Sequence, residues 1–511
     1  MRLPLGVVDL PAEQRRDVAA YSLATGSHLA IVGAARTGRS SALRLLAGAV
    51  ARDLSPEDVH VYGIDCGNNA LLPLQALPHV GAVVLRDQTD RMERLVGRLR
   101  GLIGERQQQL AQAGYADVAE QRAAVPQEER LPYVLVLLDR WEGFFGVYDA
   151  LDGGTLVTAV QQILQEGAAV GVRVVVTGDR SVVMGRMGTL LDDRIMLRMT
   201  DPSDFSTIGM SARKVPEHMP EGRGFRAEGL RETQLALLDA DPAGTAQVRA
   251  LQALGRAATQ RFAQLPRSRR PFHVDLLPVR FTAQEAQQLR EEEQAQGLAV
   301  PETALAVAVG GDTLGLRHLD PVEHGPAVLV TGPRRSGRST VLRRLADEAL
   351  RAGAQVALVT PRKSPLRDLA GTPGVHGPWD LGSDQGEVTG QLTALVGDED
   401  PVVVLVDDTE LVGSDGWLAD ALVKAVEQMR DSSSMLVGAG TASDMQSHYR
   451  GPSAVLKKAG TGILLNPQSS ADADLVGARL NRSAYGQSLP PGGGYLVVAG
   501  QAERVQVVWP G

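Results

Sequence analysis

Two short glycine-rich stretches carry most of the chemistry this sequence could perform. Gly33-Ala-Ala-Arg-Thr-Gly38-Arg39-Ser40-Ser41 returns as Gly332-Pro-Arg-Arg-Ser-Gly337-Arg338-Ser339-Thr340. An apolar run precedes each (His28 to Val32; Ala327 to Thr331), and a run of helical character follows. Strand, glycine loop and helix in that order is how proteins hold a triphosphate. Backbone N–H groups curl around the phosphates, the helix N-terminus adds partial positive charge, and the hydroxyl after the basic residue ligates Mg²⁺. The candidate nucleotide contacts are Gly33, Thr37, Gly38, Arg39, Ser40 and Ser41 in the first loop. In the second they are Gly332, Ser336, Gly337, Arg338, Ser339 and Thr340. Both loops carry Arg where such loops carry Lys, and a planar guanidinium is not equivalent to a compact ammonium against a phosphate.

An apolar strand ending in Asp supplies the expected Mg²⁺ partner, because the strand holds a carboxylate beside the loop hydroxyl. Tyr133-Val-Leu-Val-Leu-Leu-Asp139 and Val402-Val-Val-Leu-Val-Asp407 fit this pattern. The metal candidates are thus Ser40 with Asp139, and Ser339 with Asp407. A carboxylate that orients the attacking water is expected next in sequence. The first half has Arg140 there, which cannot act as a base. The second has Asp408, the catalytic candidate, while Glu142 lies a strand-end turn away and is a poor substitute. Hydrolysis is expected to be slow, and to fall to the second half. Thr177 reads as a strand-end cap or a γ-phosphate sensor. Arg194 and Arg198 read as solvated edge residues or as a finger toward a neighbour's nucleotide.

The elements that position these residues are duplicated. Gly33 and Gly332 lie 299 positions apart, Asp139 and Asp407 268, and the matching turns Gly222-Arg-Gly224 and Gly492-Gly-Gly494 270. Each half carries the same elements in the same order, and the first has about 31 extra residues between loop and acidic strand. That surplus falls around 90–130, where Met92, Leu95, Val96, Leu99, Leu102, Ile103 and Leu110 recur near helical spacing. It predicts an amphipathic helical insert packed on its own sheet, with a partner-binding arm as the other reading. The basic, Pro-broken Leu265–Pro271 stretch marks a loop, and Thr282 and Glu285 have capping-box spacing before a polar helix. We place the boundary near 268, giving domains 1–267 and 268–511. Alternating strand-like and helix-like runs predict an α/β fold, each half a mostly parallel sheet flanked by helices.

Composition narrows the function classes. At 511 residues, with 43% apolar and 22% charged, the chain is a multi-domain globular protein. No apolar run approaches the roughly 18 residues of a membrane helix, and charges and Pro interrupt the N-terminus before a signal sequence can form. A single cysteine, Cys66, suits a reducing cytosol, and no spacing suggests structural zinc. The excess of acidic over basic residues, 60 against 52, argues against a chain built to wrap nucleic acid. The densest basic run, Arg267-Ser-Arg-Arg270, lies in the linker.

Taken together these residues resemble the FtsK/SpoIIIE class of P-loop ATPases, and most closely the C-terminal pair of ATPase modules in the EccC motors of type VII (ESX) secretion. The resemblance rests on Leu3-Pro-Leu-Gly-Val-Val-Asp9, Gly63-Ile-Asp-Cys-Gly67, Leu77-Pro-His-Val-Gly81, the acidic strand through Trp141, Gly167 to Thr177, and Pro220 to Phe225. The second loop, Val402 to Asp408 and Tyr495 to Val498 extend it over nearly the whole chain. It implies tandem RecA-like domains that bind ATP and Mg²⁺ and hydrolyse weakly or not at all. Its implied partners are small helical secreted proteins carrying a C-terminal signal, and a membrane-bound secretion subunit or upstream ATPase module, with a homo-oligomeric ring compatible. It implies a cytoplasmic location, held at the inner face of the cell membrane only through a partner, in a chain that is either a split subunit or a fragment of a longer one. A DNA translocase, with DNA as partner, is the second reading, and a catalytically silent P-loop scaffold the third.

Overall fold

Apolar runs flanked by turn residues become the innermost strands. Tyr133–Asp139 is buried along its whole length, as a strand covered on both faces must be. In Val402–Val406, Val402, Val404 and Val406 enter one core while Val403 and Leu405 enter the other. This is the two-residue alternation of a pleated strand between two helical layers.

In this computed structural model, which describes residues 1–298, 300–398 and 400–510, the chain divides into two units, Met1–Val274 and Asp275–Gly511. From edge to edge the first sheet runs Arg15–Ser22, Arg2–Leu10, Arg231–Leu235, Arg223–Arg226, Asp193–Leu197, Leu29–Val32, Val172–Gly178, Tyr133–Asp139, Val59–Asp65 and Val80–Leu85. The last six are mutually parallel, and the first four join them antiparallel. The second sheet runs Gly315–Leu319, Leu305–Gly310, Gln501–Trp509, Gly493–Val498, Gly462–Leu465, Ala327–Thr331, Met435–Gly440, Val402–Val406, Gln355–Val359 and Val375–Trp379. The order is the same position by position, so the duplication holds at the level of topology. Parallel neighbours require crossover connections, which the helices supply. The α/β, RecA-like expectation is met in both units.

The extra residues of the first unit are mostly one lengthened helix. Thr89–Ala113 spans 25 residues and is followed by Val118–Ala124, where the second unit has the 13-residue Gln385–Gly397. Met92, Leu95, Val96, Leu99, Ile103 and Leu110 are all buried, and the helix packs against Thr155–Glu166 of its own unit.

The units part at Val274–Asp275, slightly beyond the position composition suggests. Arg269 bonds Glu57 at 2.5 Å, Phe272 stacks on Tyr62 with ring centroids 4.4 Å apart, and Arg91 donates to the Val274 carbonyl at 2.5 Å. Side chains thus bind a Pro-broken, loop-like stretch to the first core. The capping box forms as its spacing predicts: Thr282 and Glu285 cap each other at the start of Ala283–Ala295.

Candidate functional site

Each glycine loop sits at the C-terminal end of a parallel strand and opens directly into a helix, Arg39–Asp53 or Arg338–Arg351. Gly38 and Gly337 occupy the turn with φ of 104° and 107°, a left-handed backbone that a residue without Cβ adopts readily. The leading glycines are fixed by space. A Cβ on Gly33 would lie 2.5 Å from Thr37 Oγ1, and one on Gly332 2.8 Å from Ser336 Oγ. Behind each loop, the turns repeated in the sequence donate backbone N–H groups to it: Gly222 to Thr37 O at 2.9 Å and Gly492 to Ser336 O at 3.0 Å.

The hydroxyl and the acid meet in both units. Ser40 Oγ donates to Asp139 Oδ2 at 2.8 Å, and Ser339 Oγ to Asp407 Oδ2 at 2.9 Å. These Ser–Asp pairs span 99 and 68 residues of sequence. A second hydroxyl braces each carboxylate. Thr177 donates to Asp139 Oδ1 at 2.5 Å and accepts from the Arg140 N–H, so it serves the acidic turn. In the second unit the brace is Ser364, which bonds Asp407 Oδ2 at 2.6 Å. Burial pushes the Asp139 carboxyl up from the usual range, and the Thr177 and Ser40 hydrogen bonds pull it back part of the way.

The loop arginines turn toward carboxylates. Arg39 Nη2 lies 3.2 Å from Glu142 Oε1, in the first turn of the helix Trp141–Tyr148. Arg338 bonds Thr441 Oγ1 at 2.6 Å, and its Nη2 is 3.6 Å from Asp408 Oδ1. Arg140 and Asp408 occupy the same position after the acidic strand, both left-handed, with φ of 62° and 53°. That turn brings Glu142, a strand-end turn away in sequence, to the arginine of the loop. Asp408 is clasped by Arg362, whose Nε and Nη2 bond the two carboxylate oxygens at 2.5 and 2.8 Å. Glu410, the counterpart of Glu142, accepts from the Thr441 N–H and hydroxyl at 3.3 and 3.2 Å. Neither Arg362, Ser364, Glu142 nor Glu410 was among the residues expected to form the site. The repeated Asp-x-x-Glu of 139–142 and 407–410 is the signal that could have found the last two.

Arg194 is spent structurally, donating to the carbonyls of Leu191, Thr207 and Gly188, whereas Arg198 is exposed. Ser41 and Thr340 lie in the first turn of the loop helices.

The residues fit a bound triphosphate. Ser336 Oγ and Arg39 Nη1 are buried without a protein partner, and both are donors on residues of the glycine loops. Among the described residues no three His, Cys, Asp or Glu side chains converge, so an Mg²⁺ ion beside Ser40 or Ser339 would be completed by phosphate oxygens and water.

A glycine loop at a strand end, a helix opening on it and a buried Ser–Asp pair beneath it make up the geometry of a P-loop, here present twice. The FtsK/SpoIIIE family model matches residues 2–231, somewhat less than half of the chain and all within the first unit. The ESX-4 secretion system protein EccC4 of Mycobacterium tuberculosis is 29% identical over 551 aligned positions, covering 100% of this chain and 40% of that protein. The chain therefore spans well under half of that relative's length. Among solved structures, EssC ATPases 2 and 3 from Geobacillus thermodenitrificans match with a TM-score of 0.77 at 20% identity, covering 100% of this chain and 96% of that one. EccC ATPases 2 and 3 from Thermomonospora curvata, in complex with a signal sequence peptide, match with a TM-score of 0.63 at 24% identity, covering 100% and 93%. These likenesses show the tandem fold. Among the described residues no helix is long and apolar enough to cross a membrane.

Proposed function

We propose that the chain is a pair of ATP-binding modules of an ESX-type protein secretion motor, acting on protein substrates and turning over ATP slowly. The observation that carries this reading is the Ser–Asp pair beneath each glycine loop, Ser40–Asp139 and Ser339–Asp407, in a chain that aligns over its full length with an EccC relative. Gly33, Thr37, Gly38, Arg39, Ser40 and Ser41 would hold one nucleotide, and Gly332, Ser336, Gly337, Arg338, Ser339 and Thr340 another. A Mg²⁺ ion would rest on Ser40 and Asp139, and on Ser339 and Asp407, supplying charge neutralisation to the phosphates.

Turnover depends on a carboxylate that orients water, and the two modules differ there. The first has Arg140 at that position. The second has Asp408, already engaged by Arg362 and Arg338. Slow hydrolysis follows, because phosphoryl transfer relies on charges positioned in advance. A motor of this kind would work in the cytoplasm beside a membrane-bound subunit or an upstream ATPase module. It would take small helical secreted proteins through a C-terminal signal.

The test compares two partners under one condition. Full-length chain is titrated at about 0.15 M salt with duplex DNA and with C-terminal peptides of small helical secreted proteins encoded beside its gene. Peptide binding without DNA binding is the expected result. Salt-sensitive micromolar DNA binding with no peptide binding would replace the secretion reading by DNA translocation.

A further inference from the structure

The two modules share a topology down to single hydrogen bonds, so a position where their chemistry differs is informative. Leu235 N–H bonds Gly222 O at 2.8 Å, and Val507 N–H bonds Gly492 O at 2.9 Å. Gln234 bonds the carbonyl of Glu221, and Gln506 that of Pro491. This register pairs Leu237 with Trp509, and Glu221 with Pro491. Both side chains at the first pair are well exposed, Leu237 at 44% and Trp509 at 41%, so neither is a core residue.

In the second module Trp509 borders a cleft of about 600 Å³ that runs without interruption from Gly337, Arg338, Ser339 and Thr340 of the glycine loop. Such a volume suits a nucleotide. Arg280 lies over the indole, its guanidinium carbon 3.5 Å from the ring centroid. The strand Phe281–Thr282 pairs in parallel with Val508 and Trp509 and so brings Arg280 to this position. Pro491 forms another apolar part of the wall. The result is a flat, cationic and aromatic platform at the far end of a phosphate loop.

We propose that this platform is a nucleobase subsite: the purine of a nucleotide held by the second loop stacks on the Arg280–Trp509 pair. The proposal rests on the reading that the second loop binds a nucleoside triphosphate, and adds which part of the ligand the rest of the cleft recognises. Every base has a π-face, and stacking on an aromatic side chain strengthens binding without hydrogen-bond readout. Purines gain more than pyrimidines because their faces are larger. The first module presents Leu237 where the platform has Trp509, and an exposed acid, Glu221, where it has Pro491. The two loops are thereby assigned different dependence on the base.

The experiment uses the full-length chain. Photolabelling with 2-azido-ATP is expected to mark the peptide containing Trp509 and to leave the peptide containing Leu237 unmarked. Calorimetry with MgATP is expected to show about tenfold weaker binding at the second site in Trp509→Ala, with Trp509→Phe keeping most of the affinity. Binding of magnesium tripolyphosphate, which has no base, stays at the parental value in both variants. Equal ATP affinity in Trp509→Ala and parent, or label on the Leu237 peptide instead, overturns the base subsite while leaving the phosphate loop in place. If the parent binds neither ATP nor tripolyphosphate, the underlying nucleotide reading falls and takes the subsite with it.

Discussion

Replacing Arg362 by Ala should accelerate ATP turnover. Arg362 comes from the loop that follows the strand Gln355–Val359, and it grips both oxygens of Asp408 at 2.5 and 2.8 Å. Asp408 is 8% exposed and Arg362 49%, so one partner of the pair remains half in water. A bidentate, charge-assisted pair is strong when dry, and exposure of the guanidinium screens it. We therefore take its net worth as about 1–2 kcal/mol, which corresponds to roughly 5- to 30-fold in the fraction of Asp408 free to orient water. Arg338, 3.6 Å away, would still hold the carboxylate loosely in place. Phosphate release at saturating MgATP should rise by that factor in Arg362→Ala. It should return to the parental rate or below when Asp408→Asn is added. An Arg362→Ala chain that binds MgATP like the parent but turns it over no faster would refute the idea that this ion pair restrains a water-orienting carboxylate.

Other outcomes follow from the same geometry. Ser339→Ala removes the hydroxyl that bonds Asp407 and should cost about 1 kcal/mol in stability while abolishing the Mg²⁺ dependence of nucleotide binding at the second site, read by titration with and without chelator. Leu99→Ala truncates a fully buried residue of the long inserted helix and should lower the stability of the first unit by about 2–5 kcal/mol, seen as an earlier melting step. His28 is held down to about 4 by burial, reinforced by Arg173, with Nε2 bonded to the Leu164 carbonyl and Nδ1 accepting from Val174 N–H. The folded form keeps this ring neutral while the unfolded chain protonates it near 6.5, so stability is full above that pH and falls as the pH drops toward 4. The loss is on the order of 3 kcal/mol, and thermal melts between pH 7 and 4 should show a shallower slope in His28→Gln.

The parts of the site that repeat were legible in the sequence. Glycine loops, apolar strands ending in Asp139 and Asp407, and the Gly222 and Gly492 turns are each short, contiguous and present twice, so spacing alone aligned them. Topology followed, because identical element order in two halves leaves one fold to satisfy both. What spacing could not supply was the direction of long side chains. Arg362 and Ser364 reach the acidic strand from a loop 46 and 43 positions earlier, and no local pattern points to them. Glu142 stood in plain view, but its distance from the loop depended on the left-handed turn at Arg140, which a non-glycine residue rarely adopts. Pro and Arg composition signals a loop over 265–271, and the contacts of Arg269 and Phe272 with the first core, which spacing does not show, join that loop to the first unit.

Whether the loops hold a nucleotide is tested most directly by calorimetric titration of MgATP into the full-length chain and into Arg39→Ala, Arg338→Ala. In the proposed sites each loop arginine is a charged donor beside the phosphates, and losing a charge-assisted contact typically costs about 1.5–3 kcal/mol. The parent should bind MgATP, and the double variant should bind it at least about tenfold more weakly at each site. A double variant that binds MgATP as tightly as the parent would contradict the assignment of these loops as the nucleotide sites.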